Sequence, residues 1–307
     1  LLVSSAASDV YKRQLSDRRV IEVNPFIWKI ILNLFILNFR PGKTAKAYKE
    51  IWMKKENMSP LRYYTTRQTE KLRKKNIDEN VIVDYAMRYG NPSIRSVLNR
   101  LQKQGCEKLI ILPLYPQYAA ATTATVCDEV YKTLMKMRWQ PSLHVVPHYE
   151  SNKLYIKALV SSLREKLNEI DWKPDLVVAS YHGIPKKYFE KGDPYHCYCQ
   201  KTTRLIIESF HEIPIITTFQ SRFGPQEWLQ PYTDKTFEKL PSDGKKKILV
   251  ICPGFASDCV ETLEEINIQG KESFLENGGE KFDLVPCLND RDDHIDLLQN
   301  LTKNLNF

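Results

Sequence analysis

The sequence of 307 residues has no apolar run long enough to cross a membrane. Its longest, Phe26 to Phe39, is broken by Lys29, Asn33 and Asn38, and it falls well short of the roughly 20 apolar residues that a spanning helix needs. Residues 1–14 lack the charged start and long apolar core of a secretory signal. Low-complexity tracts and repeats of fixed period are absent, which excludes solenoids, propellers and disordered arrays. A disulfide framework is lacking as well: the seven cysteines are odd in number, mostly isolated, and several lie in apolar runs, as in reduced intracellular proteins. A cytoplasmic location is therefore expected. The formal charge is +8, but the basic residues are scattered. Clusters such as Arg73-Lys74-Lys75 and Lys245-Lys246-Lys247 read as solvated helix ends and loops, so no nucleic-acid partner is expected.

What is present is an alternation of short apolar runs with amphipathic segments. Strands are expected at Val81 to Tyr85, Lys108 to Leu114, Leu143 to Pro147, Leu176 to Ser180, Ile213 to Thr217, Lys247 to Cys252 and Phe282 to Pro286. Helices are expected at Lys43 to Lys55, Thr65 to Lys75, Ser93 to Gln104, Ala124 to Met137, Asn152 to Ile170, Thr202 to Phe210, Val260 to Asn277 and Asp293 to Leu305. Strands apolar on both faces, separated by helices, indicate parallel sheets covered by helices. The fold class expected is α/β, with two Rossmann-like doubly wound domains over residues 15–147 and 148–290 and a C-terminal helix over 291–307. Residues 1–14 are expected to be a foreign leader, because Ser4 to Gln14 resembles a spurious junction sequence of assembled genes. With that leader set aside, the first domain has only three strands, and its leading strand is expected to be missing.

Ligands of open α/β sheets bind beyond the carboxyl ends of the strands. Unusual residues gather there: Met87-Arg88-Tyr89-Gly90, Tyr115-Pro116-Gln117-Tyr118, Tyr181-His182-Gly183-Ile184-Pro185, Phe219 to Pro225 with Trp228, and Pro253 to Glu261. Aromatic faces suit a large flat conjugated ligand. Arg and Ser suit its carboxylates. A histidine with carboxylates suits a metal or a proton transfer. Each residue also has a plainer reading. His182 fits a loop histidine with satisfied hydrogen bonds, and Trp228 and the tyrosines fit core or rim positions. Asp258, Glu261 and Glu265, spaced to share one helix face, fit the N-terminal charge that complements a helix dipole. Cys197 and Cys199, beside His196, are two candidate metal ligands, but no second pair completes the roughly four that a cluster needs.

Taken together, these blocks resemble the ferrochelatase family. The resemblance rests on His182 to Pro185, Gly192-Asp193-Pro194-Tyr195, Phe219 to Pro225 with Trp228, Pro253 to Asp258 and Glu261 to Glu265. Leu114 to Tyr118 and the stretch from Asp17-Arg18-Arg19 to Arg40-Pro41 add to it, so that it covers residues 15–307 in order. It implies insertion of ferrous iron into protoporphyrin IX between two Rossmann-like domains, a lyase reaction of haem biosynthesis. It implies His182 and Glu261 as catalytic groups facing each other across the macrocycle, and Arg88, Tyr89, Tyr48, Tyr115, Ser221 and Trp228 as cleft residues. Arg40, Lys43 and Ser221 match positions that meet the propionates. His182, Glu261 and Asp258 are the expected ligands of iron in transit.

Iron(II) enters this expectation as substrate, and no resident cofactor is expected. Members of the animal type place a cluster cysteine where Ala120 stands, so no iron–sulfur cluster of that kind is expected. Peripheral membrane association stays open, as does the oligomeric state. Alternatives are a chelatase for coproporphyrin or sirohydrochlorin, or a non-catalytic tetrapyrrole-binding fragment.

Overall fold

A computed structural model describes residues 10, 12–33, 37–76 and 78–303. Its first half opens on helices whose ends carry their own caps. In α1 (Pro25–Ile31) the Asn24 side chain accepts from the Phe26 N–H, and after α2 (Leu37–Ile51) the Ser59 hydroxyl caps α3 (Pro60–Lys75). The last turn of α3 carries Arg73, Lys74 and Lys75, where positive charge complements the helix dipole. Then come α4 (Ile94–Lys103), β1 (Lys108–Ile111), a π-turn at Ala120–Ala124 leading into α5 (Thr125–Leu134), and β2 (Ser142–Val145). β1 and β2 pair in parallel, Lys108 opposite Ser142, over a core of Ile94, Leu98, Leu109, Val130 and Leu134.

The second half runs through α6 (Lys153–Glu169), β3 (Leu176–His182), α7 (Lys186–Glu190), α8 (Tyr195–Ser209), β4 (Ile215–Gln220), α9 (Thr233–Lys239) and β5 (Lys247–Ile251). A π-helix at Glu261–Gly270 continues as α10 (Lys271–Glu276), followed by β6 (Lys281–Leu284) and α11 (Asp292–Lys303). Its four strands are all parallel, in the order β4-β3-β5-β6. The central strand β3 is buried from Leu176 through Tyr181, as a strand covered by helices on both faces must be. The mixed α/β class with parallel sheets flanked by helices is the one expected.

Three expectations need correction. Val81 to Tyr85 is not a strand. Val81 and Ile82 are 50% and 48% exposed, and no strand runs beside them among the described residues. Without a ladder their backbone groups need other partners, and the Val83 carbonyl accepts from Arg73 Nε at 2.7 Å. Second, the short helices α7 and α9 were not expected, being too brief to show a helical period. Third, Asp258 does not share a helix face with Glu261, because the helix begins at Glu261 and has π rather than α geometry.

The C-terminal helix, left unassigned by sequence, joins the two halves. It packs on both α6 and α3, burying Ile295, Leu297 and Leu298. Lys75 pairs with Asp296, Lys71 with Asp292, and Gln299 donates to the Lys75 carbonyl at 3.0 Å.

Candidate active site

Because the sheet of the second half is parallel, its strands deliver their last residues to one edge. β3 ends in His182 and β4 in Gln220, directly opposite each other in register. The turn after His182 is tight. The Gly183 N–H donates to the Gln220 carbonyl at 2.7 Å. A Cβ at Gly183 would stand 2.9 Å from that carbonyl oxygen and 3.2 Å from the Trp228 ring, so glycine alone fits. Trp228 is fixed in turn by donating from Nε1 to the Phe223 carbonyl at 2.9 Å. His182 Nδ1 lies 2.7 Å from the Gly183 carbonyl oxygen. A carbonyl only accepts, so Nδ1 is the donor in that bond, and Nε2 is the ring nitrogen it leaves unengaged.

Gln220, only 3% exposed, connects this turn to the π-helix. Its Oε1 accepts from the Ser180 hydroxyl at 2.8 Å, and its Nε2 donates to the Glu261 carbonyl at 2.7 Å. The next residue, Ser221, has φ of +65°. That backbone aims both its N–H and its hydroxyl at Glu265, at 2.7 and 2.5 Å. Burial pushes the Glu265 carboxyl above its ordinary range, while the Ser221 hydroxyl and nearby His182 oppose that rise.

Glu261 heads the π-helix, the irregular turn type that recurs at functional sites. Tyr48 reaches it from α2 and Tyr115 from the loop after β1. Burial first, then the negative charge of Glu261, pushes both phenols above their ordinary value, with Arg88 opposing the rise at Tyr115. Arg88 donates to Asp17 at 2.6 Å and lies 4.6 Å over the Tyr89 ring, and Tyr89 donates to the same Asp17 oxygen at 3.1 Å. The Trp28 ring of α1 meets Phe223 edge-on, 6.5 Å between centroids, so the two halves touch beside the site.

His182, Glu261, Ser221 and Trp228 are thus brought together, with Tyr48 and Tyr115 beside Glu261 and with Arg88 and Tyr89 linked through Asp17. Arg40 and Lys43 lie in α2, but their side chains fall outside the described residues. Asp258 stands apart. It is 4% exposed, and its oxygens accept from the Thr262 hydroxyl, the Cys287 N–H and Asn289 Nδ2. Cys197 is exposed and Cys199 buried, as positions two apart on a helix point to different sides. No group of three His, Cys, Asp or Glu side chains converges as a metal site among the described residues. Sequence reasoning overlooked Gln220. Its one signal was its place at the end of an apolar strand, inside a block already singled out.

A model of the family described as Ferrochelatase matches residues 4–305. The chain belongs to the ferrochelatase family. It is 57% identical to a ferrochelatase of Allorhizobium ampelinum over 292 residues, covering 94% of this chain and 85% of that one. It is 52% identical to the ferrochelatase of Francisella tularensis subsp. novicida, covering 94% and 87%. Membership makes it an enzyme of the lyase class, with a porphyrin and iron as substrates. Among solved structures it is similar in fold to SirB from Bacillus subtilis, with a TM-score of 0.60 at 13% identity over 78% of this chain and 88% of that one. It is also similar in fold to DR2241 from Deinococcus radiodurans, described as resembling chelatases, with a TM-score of 0.54 at 11% identity over 78% and 51%. No helix among the described residues is long and apolar enough to cross a membrane.

Proposed function

We propose that this chain inserts ferrous iron into protoporphyrin IX to form protohaem, with His182 and Glu261 doing the chemistry. The observation that carries this reading is the pairing of β3 and β4. It puts His182, its Nδ1 tied to a backbone carbonyl, on the same edge as Glu261, with Gln220 joining the turn after His182 to the Glu261 carbonyl. Insertion removes two pyrrole N–H protons from the ring. His182 accepts them in turn, passing each to solvent water before the next, as a neutral imidazole can near pH 7. Glu261 replaces water on iron(II), which favours oxygen and nitrogen donors. Tyr48, Tyr115 and Trp228 supply flat apolar faces to the macrocycle, with Arg88 and Tyr89 at its margin. Ser221 has a single O–H and donates it to Glu265, so the propionates fall to Arg40 and Lys43.

The reaction needs no resident cofactor. An iron–sulfur cluster finds no support in Cys197 and Cys199, which lie on different sides of α8. A cytoplasmic enzyme that meets a membrane peripherally fits the surface of α1, where Phe26, Ile27 and Ile30 are 75%, 53% and 45% exposed beside Lys29.

The test is anaerobic iron insertion, followed by loss of porphyrin fluorescence, with protoporphyrin and coproporphyrin offered separately. His182→Ala should abolish insertion while protoporphyrin still binds. Wild-type turnover by that variant would remove His182 from the mechanism, and preference for coproporphyrin would change the substrate assigned.

A further inference from the structure

Glu261 is fixed through its backbone from two directions. Gln220 holds its carbonyl from the β4 side. From the other side comes a buried network that the mechanism above does not use. Asp258 Oδ1 accepts from the hydroxyl of Thr262, the residue next to Glu261, at 3.1 Å, and that hydroxyl oxygen also accepts the Cys259 N–H at 3.0 Å. Asn289 clasps Asp258 twice, donating from Nδ2 at 2.6 Å and accepting the Asp258 N–H at 2.8 Å. To do so Asn289 adopts φ of +46°, a left-handed conformation that costs energy outside glycine and persists where surrounding structure enforces it. Its carbonyl in turn accepts from His294 Nδ1 at 2.7 Å and from Gln68 Nε2 at 2.9 Å. Gln68 also donates to the Ser257 hydroxyl at 2.9 Å.

Gln68 belongs to α3, in the other half of the molecule. Arg67 and Lys71 of the same helix pair with Asp290. The chain of contacts therefore runs from the first half, through Gln68, Asn289, Asp258 and Thr262, to the first turn of the π-helix. All four of its polar side chains, with Ser257, are at least nine-tenths buried.

We infer that Asn289 and Gln68 are positioning residues for Glu261: Asn289 fixes the first turn of the π-helix through Asp258, and Gln68 ties that turn to the half that supplies Tyr48 and Tyr115. The inference rests on the role of Glu261 proposed above. In this arrangement Asp258 acts as a structural carboxylate rather than an iron ligand.

The test compares Asn289→Gly, Gln68→Met and Glu261→Gln in the full chain, together with the Asn289→Gly/Glu261→Gln double variant. Glycine keeps the left-handed backbone at no steric cost, so Asn289→Gly removes only side-chain bonds. Each is assayed for kcat and for KM toward iron(II), and separately for protoporphyrin affinity by fluorescence quenching. Asn289→Gly and Gln68→Met should each lose about 10- to 100-fold in kcat/KM for iron, the scale of a misplaced catalytic group, with porphyrin affinity unchanged. Adding Asn289→Gly to Glu261→Gln should cost nothing further, since both act through one carboxylate. Wild-type rates, a loss confined to porphyrin affinity, or full additivity would overturn the inference. If Asn289→Gly does not fold, Gln68→Met leaves the Asp258 bonds in place and decides the matter. Wild-type turnover by Glu261→Gln would overturn the reading of Glu261 itself, whereas an inactive Glu261→Gln beside a fully active Gln68→Met would overturn only the positioning role.

Discussion

The protonation of Glu265 follows from where Ser221 and Gln220 place it. Burial disfavours its charged form, so the folded protein keeps the proton above the ordinary value of 4.5. Between 4.5 and the raised value the folded state binds more protons than the unfolded one. The stability this confers is complete below 4.5 and is lost as pH rises through the raised value. Glu265→Gln retains an acceptor for Ser221 but does not titrate. Its thermal unfolding midpoint should therefore fall less than that of the wild type as pH rises from 4.5, and parallel curves would show that Glu265 titrates alike in both states. His182 and Trp228 were legible in the sequence because each stands in a distinctive block just past an apolar strand. The role of Gln220 was not, because which way its carboxamide points depends on β3 lying beside β4. Gln68 and Asn289 were hidden for a stronger reason: 221 residues separate them, and no local pattern encodes such a contact.

At the scale of elements, apolar runs located six strands well, since burial on both faces leaves an unmistakable composition. The run at Val81 failed because a strand also needs a neighbour, which composition does not report. The π-helix failed differently. Regular i, i+3, i+7 spacing of Asp258, Glu261 and Glu265 suggested one shared α-helical face, whereas Asp258 lies before the helix, held by Asn289, and the helix that starts at Glu261 has π geometry. α11 is the element whose loss should be felt most widely. Leu297 is fully buried beneath it, and Leu297→Ala should cost about 2–5 kcal/mol, the usual range for a large-to-small change in a core. Chemical denaturation would check this, and a change below about 1 kcal/mol would show that the site collapses around the smaller side chain.

For the whole molecule, the surface of α1 makes a prediction that activity assays do not reach. Burying a Phe or Ile side chain is worth about 1.5–3 kcal/mol, and about 1.4 kcal/mol is a tenfold change in binding. Phe26→Glu combined with Ile27→Glu should therefore weaken partitioning onto anionic vesicles by about tenfold or more. Sedimentation with the vesicles measures it, and equal partitioning by wild type and variant would show that α1 is not the contact.

The bridge made by α11 also has a consequence in time. Lys71 and its partner Asp292 are 221 residues apart in the chain. A ribosome adding about 5–20 residues per second needs about 10–45 s to cover that distance. Throughout that interval α3 is already synthesised while the helix that will cover it is not. The nascent first half must therefore wait with one flank bare, and that flank is where a chaperone or a protease would find it.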